Sequence, residues 1–329
     1  MALKEQVLDL LMTRDDFVSG QEICQRLGVS RTAVWKVINQ LKEEGYQFEA
    51  VQKKGYRMLP DAEVFSAKEI STRLHTQRFG RNLVFKQVTG STNFDVRDLA
   101  QQGAPEGTLV VADTQETGRG RRGRNWNSPP GTSIAYSVLM RPEIQSKNAG
   151  MLTLLMAVAV ARTLSEIAPE TEIAIKWPND VLVNKHKCCG ILTEMTLEGT
   201  DIEFVVCGVG INVNQTEFPE EIASIASSLK IETGLRQNRS AITARTMDHF
   251  EALYDLFLES ENMAFVKDEY ERYLVNRGNI VRVLDPHGEY TGRAEGINEE
   301  GELLVRKDDG TLEAVYAGEV SVRGIYGYV

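Results

Sequence analysis

Apolar residues recur at helical spacing in three short stretches near the start of the chain. Leucine and valine lie three or four residues apart over residues 3–11, which predicts a first helix. Ser19 and Glu22 have the spacing of a capping box, so a second helix is expected to begin there and to end at Gly28. Ser30 is placed to cap a third helix, whose inward stripe consists of Val34, Val37, Ile38 and Leu41.

Two strand patterns follow, over residues 46–51 and 55–59, around a tight polar turn. Helices and a hairpin in this order predict a winged helix-turn-helix, with the third helix sized for a DNA major groove and the turn placed to meet phosphate. The predicted DNA-binding residues lie on the polar face of that helix and in the turn: Ser30, Arg31, Thr32, Trp35, Lys36, Asn39, Lys53 and Lys54. The alternative is a small helical interaction module whose polar face is merely solvated.

The middle and the end of the chain show other patterns. From about residue 83 to 274, strand-like runs occur in clusters between long helical runs at 151–168 and 241–260. Because the strands do not alternate strictly with helices, we expect a mixed or largely antiparallel sheet flanked by helices. Residues 279–329 alternate short strands with glycine-containing turns, which predicts a small β-barrel.

The patterns together predict an α+β multidomain protein, with domains at 1–65, 66–275 and 276–329. With 42% hydrophobic and 26% charged residues, the composition is that of a soluble globular protein. The most apolar run, residues 151–161, is about half as long as a membrane span and is better explained as a buried helix. The N-terminus lacks the pattern of a signal peptide, so we expect a cytoplasmic protein without a membrane partner.

Cysteine, histidine and net charge limit the chemistry further. Cys24, Cys188, Cys189 and Cys207 form no CxxC pair and are expected to be reduced packing residues, and the scattered histidines give no argument for zinc. The net charge is −10, but residues 1–60 carry +1, which leaves −11 for the rest. Contact with DNA therefore has to come from the first segment, and its weak positive charge predicts modest affinity for a single copy.

The stretch GRGRRGRNW, residues 118–126, holds four arginines among three glycines and is predicted to be a loop. Glycine lets a backbone approach a ligand closely, and guanidinium groups bind carboxylate and phosphate through paired hydrogen bonds. The alternatives are an arginine-rich contact to nucleic acid or a solvated loop. Strand patterns on both sides anchor the stretch and favour closure over a small anion.

Three further motifs carry candidate chemistry. In IKWPND, residues 175–180, Pro178 keeps the preceding residues extended, so Lys176 lies at a strand end among apolar neighbours, where an anion would compensate its charge; an ordinary surface lysine is the alternative. GSTN, residues 90–93, is either part of a site or only a turn or helix cap. GVGINV, residues 208–213, has glycines that permit close approach of a ligand or merely shape a strand.

In this order, GSTN, TQETGRGRRGRNW, KWPND, KCCGIL and GVGINV resemble the biotin protein ligases, and the N-terminal winged helix is similar to that of the bacterial ligases that also repress the biotin operon. The resemblance covers essentially the whole chain. It implies a catalytic fold related to the class II aminoacyl-tRNA synthetases and an SH3-like C-terminal barrel. It also implies ATP, Mg²⁺ and biotin, with biotinyl-5′-AMP as intermediate and corepressor, a biotin carboxyl carrier protein and operator DNA as partners, and a homodimer promoted by ligand.

The resemblance assigns roles to residues that match the family's motifs. Residues expected to bind biotin and its activated carboxyl are Ser91, Thr92, Asn93, Gln115, Arg119, Gly120, Arg121 and Lys176, of which Arg119, Arg121 and Lys176 are also expected to be catalytic. Trp126 is expected to cover adenine, and Lys187, Asn212 and Arg323 to lie around the nucleotide. No metal ligands are assigned. The residues QETGRG and the Cys188–Cys189 pair depart from commoner family patterns without touching a charged catalytic position.

The residue chemistry fits this assignment. The biotin carboxylate and the α-phosphate of ATP are both anions, so Arg119, Arg121 and Lys176 can neutralise their repulsion. A carrier lysine then attacks the mixed anhydride, so no enzyme nucleophile is needed. Two alternatives are a biotin-sensing repressor without enzymatic activity, which would not need these cations together, and a ligase for lipoate, against which the RGRRG stretch argues.

Overall fold

The structure, a computed structural model, describes residues 3–12, 14, 16–43, 46, 48–51, 54–58, 64–285, 288–316 and 321–324. Its first unit contains the helices α1 (Leu3–Met12), α2 (Gly20–Leu27) and α3 (Arg31–Glu43) and the strands β1 (Phe48–Val51) and β2 (Gly55–Met58). The two strands pair antiparallel along their whole length, which confirms the predicted hairpin. The Ser19 side chain accepts a hydrogen bond from the backbone N–H of Glu22, and Gly28 ends α2 with a φ of 65°, as the capping pattern predicted.

Eight strands form one sheet in the middle of the chain: β3 (Leu83–Thr89), β4 (Leu109–Arg119), β5 (Asn125–Ser128), β6 (Ser133–Met140), β7 (Ile173–Lys176), β8 (Asp180–Val183), β9 (His186–Glu198) and β10 (Asp201–Asn212). Seven of them follow the order β3-β4-β6-β10-β9-β8-β7, and β5 pairs with β4. Within the described chain only β3 and β4 run parallel, so the prediction of a largely antiparallel sheet is confirmed. The sequence pattern did not predict β9, because Gly190 and the polar residues after it are poor indicators of a strand.

Seven helices accompany this sheet: α4 (Ala67–Arg73), α5 (Thr92–Gln101), α6 (Met151–Ile167), α7 (Glu220–Ala223), α8 (Leu229–Thr233), α9 (Arg239–Ser260) and α10 (Lys267–Tyr273). Successive side chains of a strand point to opposite faces. Val110, Leu139 and Val206 therefore pack against α5, whereas their strand neighbours contact the α6 and α9 side. By length and composition a helix over Ser146–Ile167 could cross a membrane, but 72% of its most apolar stretch is buried in the protein, as expected of a core helix.

The last unit is a five-stranded antiparallel sheet. Its strands are β11 (Ile280–Asp285), β12 (Gly288–Ile297), β13 (Leu303–Arg306), β14 (Leu312–Val315) and β15 (Ser321–Gly324). Their order is β14-β13-β12-β11-β15, which confirms the predicted short strands of this domain, whereas closure of the sheet into a small β-barrel stays a prediction. The indole N–H of Trp177 in the central domain donates to the carbonyl oxygen of Gly301 at 3.0 Å, so this sheet supports the turn that follows β7.

Two adjacent residues join the first unit to the second. Val64 is buried in the core of the first unit, and its carbonyl oxygen accepts a hydrogen bond from the Ser240 hydroxyl at 2.7 Å. Phe65 belongs to the core of the second unit, where it lies edge-on to Phe85 with ring centroids 5.4 Å apart. The Arg239 guanidinium lies 4.4 Å from the centre of the Phe65 ring. The chain thus passes from one core to the next within a single peptide unit. The bounds of the three domains proposed from the sequence remain a prediction.

A buried ion pair holds α9 against the sheet next to the predicted site. Asp113 on β4 and Arg239 at the start of α9 are 2.6 Å apart, with side chains only 8% and 5% exposed. The Asp113 carboxylate also accepts hydrogen bonds from the Gln87 amide at 2.9 Å and from the backbone N–H of Gly131 at 3.2 Å. A buried charge pair is costly to break because the remaining charge loses its partner. This pair therefore fixes β4 two residues before Gln115.

We expect Asp113→Asn to lower the free energy of unfolding by about 3 kcal/mol, because the neutral amide removes the carboxylate charge that lies 2.6 Å from the buried Arg239 guanidinium. Urea denaturation followed by tryptophan fluorescence measures the change. Asp98→Asn, on the exposed side of α5, is the matched control and should stay close to the parent protein. Equal stability of the two variants would contradict the role given to the ion pair.

Candidate active site and DNA-binding face

A cavity of about 680 Å³ lies where the start of α5, the β4–β5 hairpin and the ends of β7–β10 meet. Every residue predicted to bind biotin lines it, namely Ser91, Thr92, Asn93, Gln115, Arg119, Gly120, Arg121 and Lys176. Trp126, Lys187 and Asn212, predicted to lie around the nucleotide, line it as well. Arg323 is in β15 opposite Arg282, but its side chain lies outside the described part of the structure. The sequence motifs are thus brought together at one place, while their ligand roles remain predictions.

Ser91, Thr92 and Asn93 of the GSTN motif line one side of the cavity together with Gln115, and we call these four residues its floor. Ser91 precedes α5 and is buried, but within the described structure its side chain makes no capping hydrogen bond to the helix. The backbone N–H of Thr92 donates to the Gln115 amide oxygen at 2.9 Å. Since that oxygen faces Thr92, the amide nitrogen of Gln115 is the group that can donate to a ligand. The motif is therefore more than a helix cap.

The arginine-glycine stretch is a hairpin, so the prediction of a loop over residues 118–126 was wrong in extent. Arg119 is the last residue of β4, a single 3₁₀ turn spans Arg121–Gly123, and β5 begins at Asn125. The Gly120 N–H donates to the Arg124 carbonyl oxygen at 2.7 Å, and Gly123 has a φ of 71°. Strand pairing reaches Arg119, which stands opposite Asn125. Arg119 is thus mounted on a paired strand, whereas Arg121, Arg122 and Arg124 lie in the turn that joins β4 to β5.

Arg121 carries the strongest electrostatic constraint of the hairpin. It donates to the Asn179 side-chain oxygen at 3.2 Å, which ties the hairpin to the KWPND turn. Burial lowers the pKa of Arg121 from its usual value, the Asp180 carboxylate opposes this shift, and the neighbouring Arg122 and Arg124 charges reinforce it. Arginine nevertheless remains protonated at neutral pH. An anion in the cavity would relieve the crowding of positive charge.

The KWPND turn positions two lysines and a carboxylate. Lys176 is the last residue of β7, only 5% exposed, and stands opposite Asp180 in the β7–β8 register. The Asp180 carboxylate lies 2.6 Å from the Lys187 ammonium group. The alternative that Lys176 is an ordinary surface lysine is therefore wrong. A ligand anion in the cavity can therefore contact the Lys176 ammonium at the end of β7 and the Arg121 guanidinium of the hairpin.

Trp126 packs closely against two glycines of the sheet. Gly190 and Gly210 are directly opposite each other on β9 and β10. A Cβ at Gly190 would come within 3.0 Å of the indole, and one at Gly210 within 2.3 Å. The indole N–H is buried without a hydrogen-bond partner among the described residues, and the Lys187 ammonium lies 5.7 Å from the ring. An aromatic surface with a free donor is thus available for a flat, nitrogen-rich ring.

The GVGINV motif is also explained by close approach, but of protein side chains. At Gly208 a Cβ would lie 2.0 Å from the Asn93 amide oxygen, just as Gly210 accommodates Trp126. Asn212 donates from its amide to the Ser227 carbonyl oxygen at 3.1 Å. It thereby anchors the end of segment 215–226, which lines the cavity.

Several lining residues were not assigned from the sequence. Asn179 and Asp180 stood inside a quoted motif, so their place was predictable but their role was not. The segment after β10 adds Gln215, Glu217, Phe218, Pro219, Ile222, Ile225 and Ala226. Its sequence has no motif with a chemical signature, and only the three-dimensional path of the chain brings it to the cavity.

The cysteines behave as packing residues. Cys188, Cys189 and Cys207 are buried and, like Cys24, free of disulfides. Burial raises the pKa of the Cys207 thiol to about 12, and burial likewise raises the pKa values of Cys188 and Cys189. A protonated thiol is a poor nucleophile and a poor metal ligand. No cluster of three or more potential metal ligands occurs among the described residues.

The predicted DNA-binding residues form an exposed face on α3. Arg31, Thr32, Trp35 and Lys36 are exposed, Asn39 is half-buried, and Trp35 exposes 57% of its surface. Ser30 caps the helix by accepting a hydrogen bond from the backbone N–H of Ala33 at 3.2 Å. Lys54 is exposed in the hairpin, whereas Lys53 lies outside the described residues. An indole left in water at the centre of a cationic face is typical of a surface that binds a partner.

Comparison with known proteins matches all three parts of the chain. Residues 84–212 match the biotin/lipoate A/B protein ligase family, residues 4–57 an HTH domain, and residues 278–323 the biotin protein ligase C-terminal domain. The chain is 39% identical to the bifunctional ligase/repressor BirA of Bacillus subtilis, over 97% of this chain and 98% of that protein. It is 30% identical to the protein of the same name from Escherichia coli, over 95% of each chain.

Solved structures show the same relationship. The biotin protein ligase from Aquifex aeolicus in complex with biotin and ATP superimposes with a TM-score of 0.65 at 32% identity. The match covers 74% of this chain and 99% of that one. The quarter of this chain that lies outside the match is longer than the part that matches the HTH domain, residues 4–57.

We expect Gly210→Ala to displace the Trp126 indole from the sheet, because the new methyl group would overlap the ring. In protein labelled with fluorotryptophan, the ¹⁹F resonance of Trp126 should shift, while those of Trp35 and Trp177 stay in place. Gly150→Ala is the control, since the nearest atom to its Cβ would be 3.8 Å away. An unmoved Trp126 resonance in Gly210→Ala would show that the indole does not rest on these glycines in solution.

Proposed function

Because the chain belongs to the family of bifunctional biotin ligase/repressor proteins, we propose that it joins biotin to a carrier protein through biotinyl-5′-AMP and represses transcription of biotin genes in response to that adenylate. The observation that carries the ligase activity is a single cavity that combines clustered cations, an amide-and-hydroxyl floor and an aromatic platform. The lipoate alternative is disfavoured because a cyclic urea, unlike a dithiolane, uses the polar floor.

The charges of the cavity suit two anionic reactants. Six cationic side chains line it, against the carboxylates of Asp180 and Glu217: Arg119, Arg121, Arg122, Arg124, Lys176 and Lys187. Bringing a carboxylate to an α-phosphate would be strongly repulsive in a desolvated pocket. Arg119, Arg121 and Lys176 are the residues we assign to neutralising both groups. A sensor that only bound biotin would not need this excess of positive charge.

The first reaction joins the two substrates. A carboxylate oxygen of biotin attacks the α-phosphorus in line and pyrophosphate leaves, while the fixed cations stabilise the negative charge on the phosphoryl oxygens. We assign Ser91, Thr92, Asn93 and Gln115 to the biotin ring system and Trp126 to adenine. Lys187, Asn212 and Arg323 are assigned to the nucleotide. Glu217 is free to contribute to a Mg²⁺ ion held mainly by ATP phosphates, which would supply further charge neutralisation.

The second reaction transfers biotin. The neutral amine of a carrier lysine attacks the carbonyl carbon of the mixed anhydride, AMP leaves with the bonding electrons, and the amine nitrogen loses a proton. The buried cysteines take no part, because burial keeps them as thiols. Segment 215–226 and the arginine hairpin flank the cavity and shield the anhydride from water.

Repression is assigned to the exposed face of α3 and to the hairpin. With a net charge of only +1 in residues 1–60, one copy gains little from phosphate contacts. Two copies on a two-fold symmetric operator would add their contacts. We therefore propose a homodimer that biotinyl-5′-AMP promotes, acting in the cytoplasm, where the carrier protein and the operator are both found.

For the ligase activity, we expect Lys176→Ala and Arg121→Ala each to slow adenylate formation by about 10²- to 10³-fold, because each removes a cation from the developing charge. Rapid-quench measurement of the pyrophosphate burst tests this. Lys147→Ala, an exposed cation outside the cavity, is the control and should keep the parent burst rate. An unchanged burst in either cavity variant would refute its assigned role.

For DNA binding, we expect the double substitution Arg31→Ala with Lys36→Ala to weaken operator binding and to reduce the salt slope of the affinity by about four, because each copy of the proposed dimer loses two cations. Gel shifts of the full chain with adenylate at several salt concentrations measure both quantities. Lys68→Ala, an exposed lysine of α4, is the control for loss of positive charge. Ligase activity should be retained throughout, and an unaltered salt slope would place the DNA contact elsewhere.

A further inference from the structure

Two polar residues that do not line the cavity lie directly behind its floor. Ser137 is a fully buried residue of β6, opposite Gly208 in the β6–β10 register. Glu194 is a half-buried residue of β9. Both contact Asn93, which is only 6% exposed. No motif in the sequence points to either residue.

The contacts of Asn93 fix the orientation of its amide. Its nitrogen donates to the Glu194 carboxylate at 2.7 Å and to the Leu192 carbonyl oxygen at 3.4 Å. Both partners are acceptors, so the nitrogen cannot be exchanged with the oxygen by a flip. The amide oxygen therefore faces the Ser137 hydroxyl, 2.5 Å away. Because an amide oxygen cannot donate, Ser137 is the donor in this bond.

The direction of this bond determines the next one. A serine hydroxyl has a single proton, and Ser137 uses it on Asn93. The 2.7 Å contact between the Ser137 and Thr92 hydroxyls must then be one in which Thr92 donates. The Thr92 hydroxyl has thereby used its own proton, although it also lies 3.2 Å from the Gln115 amide oxygen. Towards the cavity it can offer only lone pairs.

The floor of the cavity thus has a defined polarity. Thr92 is an acceptor, and the neighbouring Gln115, whose amide oxygen accepts from the Thr92 backbone N–H, offers its amide nitrogen as a donor. An adjacent acceptor and donor match the N–H and C=O groups that lie side by side on the ureido ring of biotin. A site with the reverse polarity would leave buried polar groups unpaired, which weakens binding strongly.

We infer that Ser137 and Glu194 are positioning residues. They fix the chain of hydrogen bonds in which Thr92 donates to Ser137 and Ser137 donates to Asn93, and so make the floor selective for a cyclic urea. This inference rests on the proposed assignment of Thr92, Asn93 and Gln115 to biotin. Glu194 acts by holding the amide of Asn93, and Ser137 acts by passing that orientation to Thr92. Neither residue touches the ligand.

Calorimetric titration of the full-length protein with biotin, and separately with an ATP analogue, tests the inference. We expect Ser137→Ala and Glu194→Ala each to raise the Kd for biotin about tenfold, the equivalent of one hydrogen bond of ordinary net strength. The Kd for the ATP analogue should stay within about twofold, because the nucleotide part of the cavity is unaltered. In turnover, KM for biotin should rise while kcat is retained. Equal weakening of both ligands would indicate general loosening and overturn the inference.

Matched controls separate positioning from packing. Arg97→Ala removes the other partner of Glu194, 3.3 Å from its carboxylate, without touching Asn93. Thr163→Ala removes a fully buried hydroxyl in α6, away from the cavity. Both controls should bind biotin like the parent. Glu194→Gln retains an oxygen that can accept from the Asn93 nitrogen, and it should recover most of the affinity lost in Glu194→Ala.

A double variant supplies a second criterion. Because Ser137 and Glu194 act through the same amide, Ser137→Ala with Glu194→Ala should weaken biotin binding by clearly less than the product of the single effects. Independent, multiplying effects would contradict the relay. Thr92→Val separates this inference from the proposed function: if it leaves biotin binding unchanged, the biotin assignment itself is wrong. If Thr92→Val weakens binding and Ser137→Ala does not, only the positioning inference fails.

Discussion

Six cationic side chains converge on one cavity. The rest of the central domain has to hold these side chains close together against their mutual repulsion. Burial is the main cause that lowers the pKa of Arg121, and the neighbouring Arg122 and Arg124 charges lower it further. Asp180 offsets part of the repulsion through its contact with Lys187 and its field at Arg121. Substrate anions can neutralise the positive charge that Asp180 leaves uncompensated. The same clustered cations therefore give the cavity its affinity for anions and destabilise the protein without ligand.

Rigid elements make this concentration of charge tolerable. The arginines project from a paired hairpin, and Lys176 projects from a strand end whose following turn is held by Trp177 and the C-terminal sheet. Trp177 also donates its backbone N–H to the Asn276 side chain at 2.9 Å. The C-terminal unit therefore contributes to the site without lining the cavity within the described structure. Beside the proposed role of Arg323 at the nucleotide, this unit supports the KWPND turn mechanically.

Local chemistry made much of this predictable. Capping residues and apolar spacing identified the helices of the first unit, and charged motifs identified the residues that meet in the cavity. The missing parts depend on distance along the chain: the Asp113–Arg239 pair joins residues far apart in sequence, and segment 215–226 reaches the cavity only through the path of β10 and α9. The hairpin was misjudged as a loop because glycine has weak strand propensity, whereas the pairing of β5 with β4 extends strand structure to Arg119 and from Asn125. Ser137 and Glu194 escaped notice because a single serine or glutamate in a strand carries no signature.

The glycines of β10 have a consequence for the adaptability of the protein. β10 is an inner strand of the sheet, flanked by β6 and β9, where valine or isoleucine would ordinarily strengthen the fold. At Gly208 and Gly210 such residues would displace Asn93 and Trp126. Substitutions chosen only for thermal stability would therefore be most damaging at the two positions where β propensity recommends them most. At these two positions the sheet gives up strand stability to leave space for the Asn93 and Trp126 side chains. Stabilising substitutions will have to be sought in other strands.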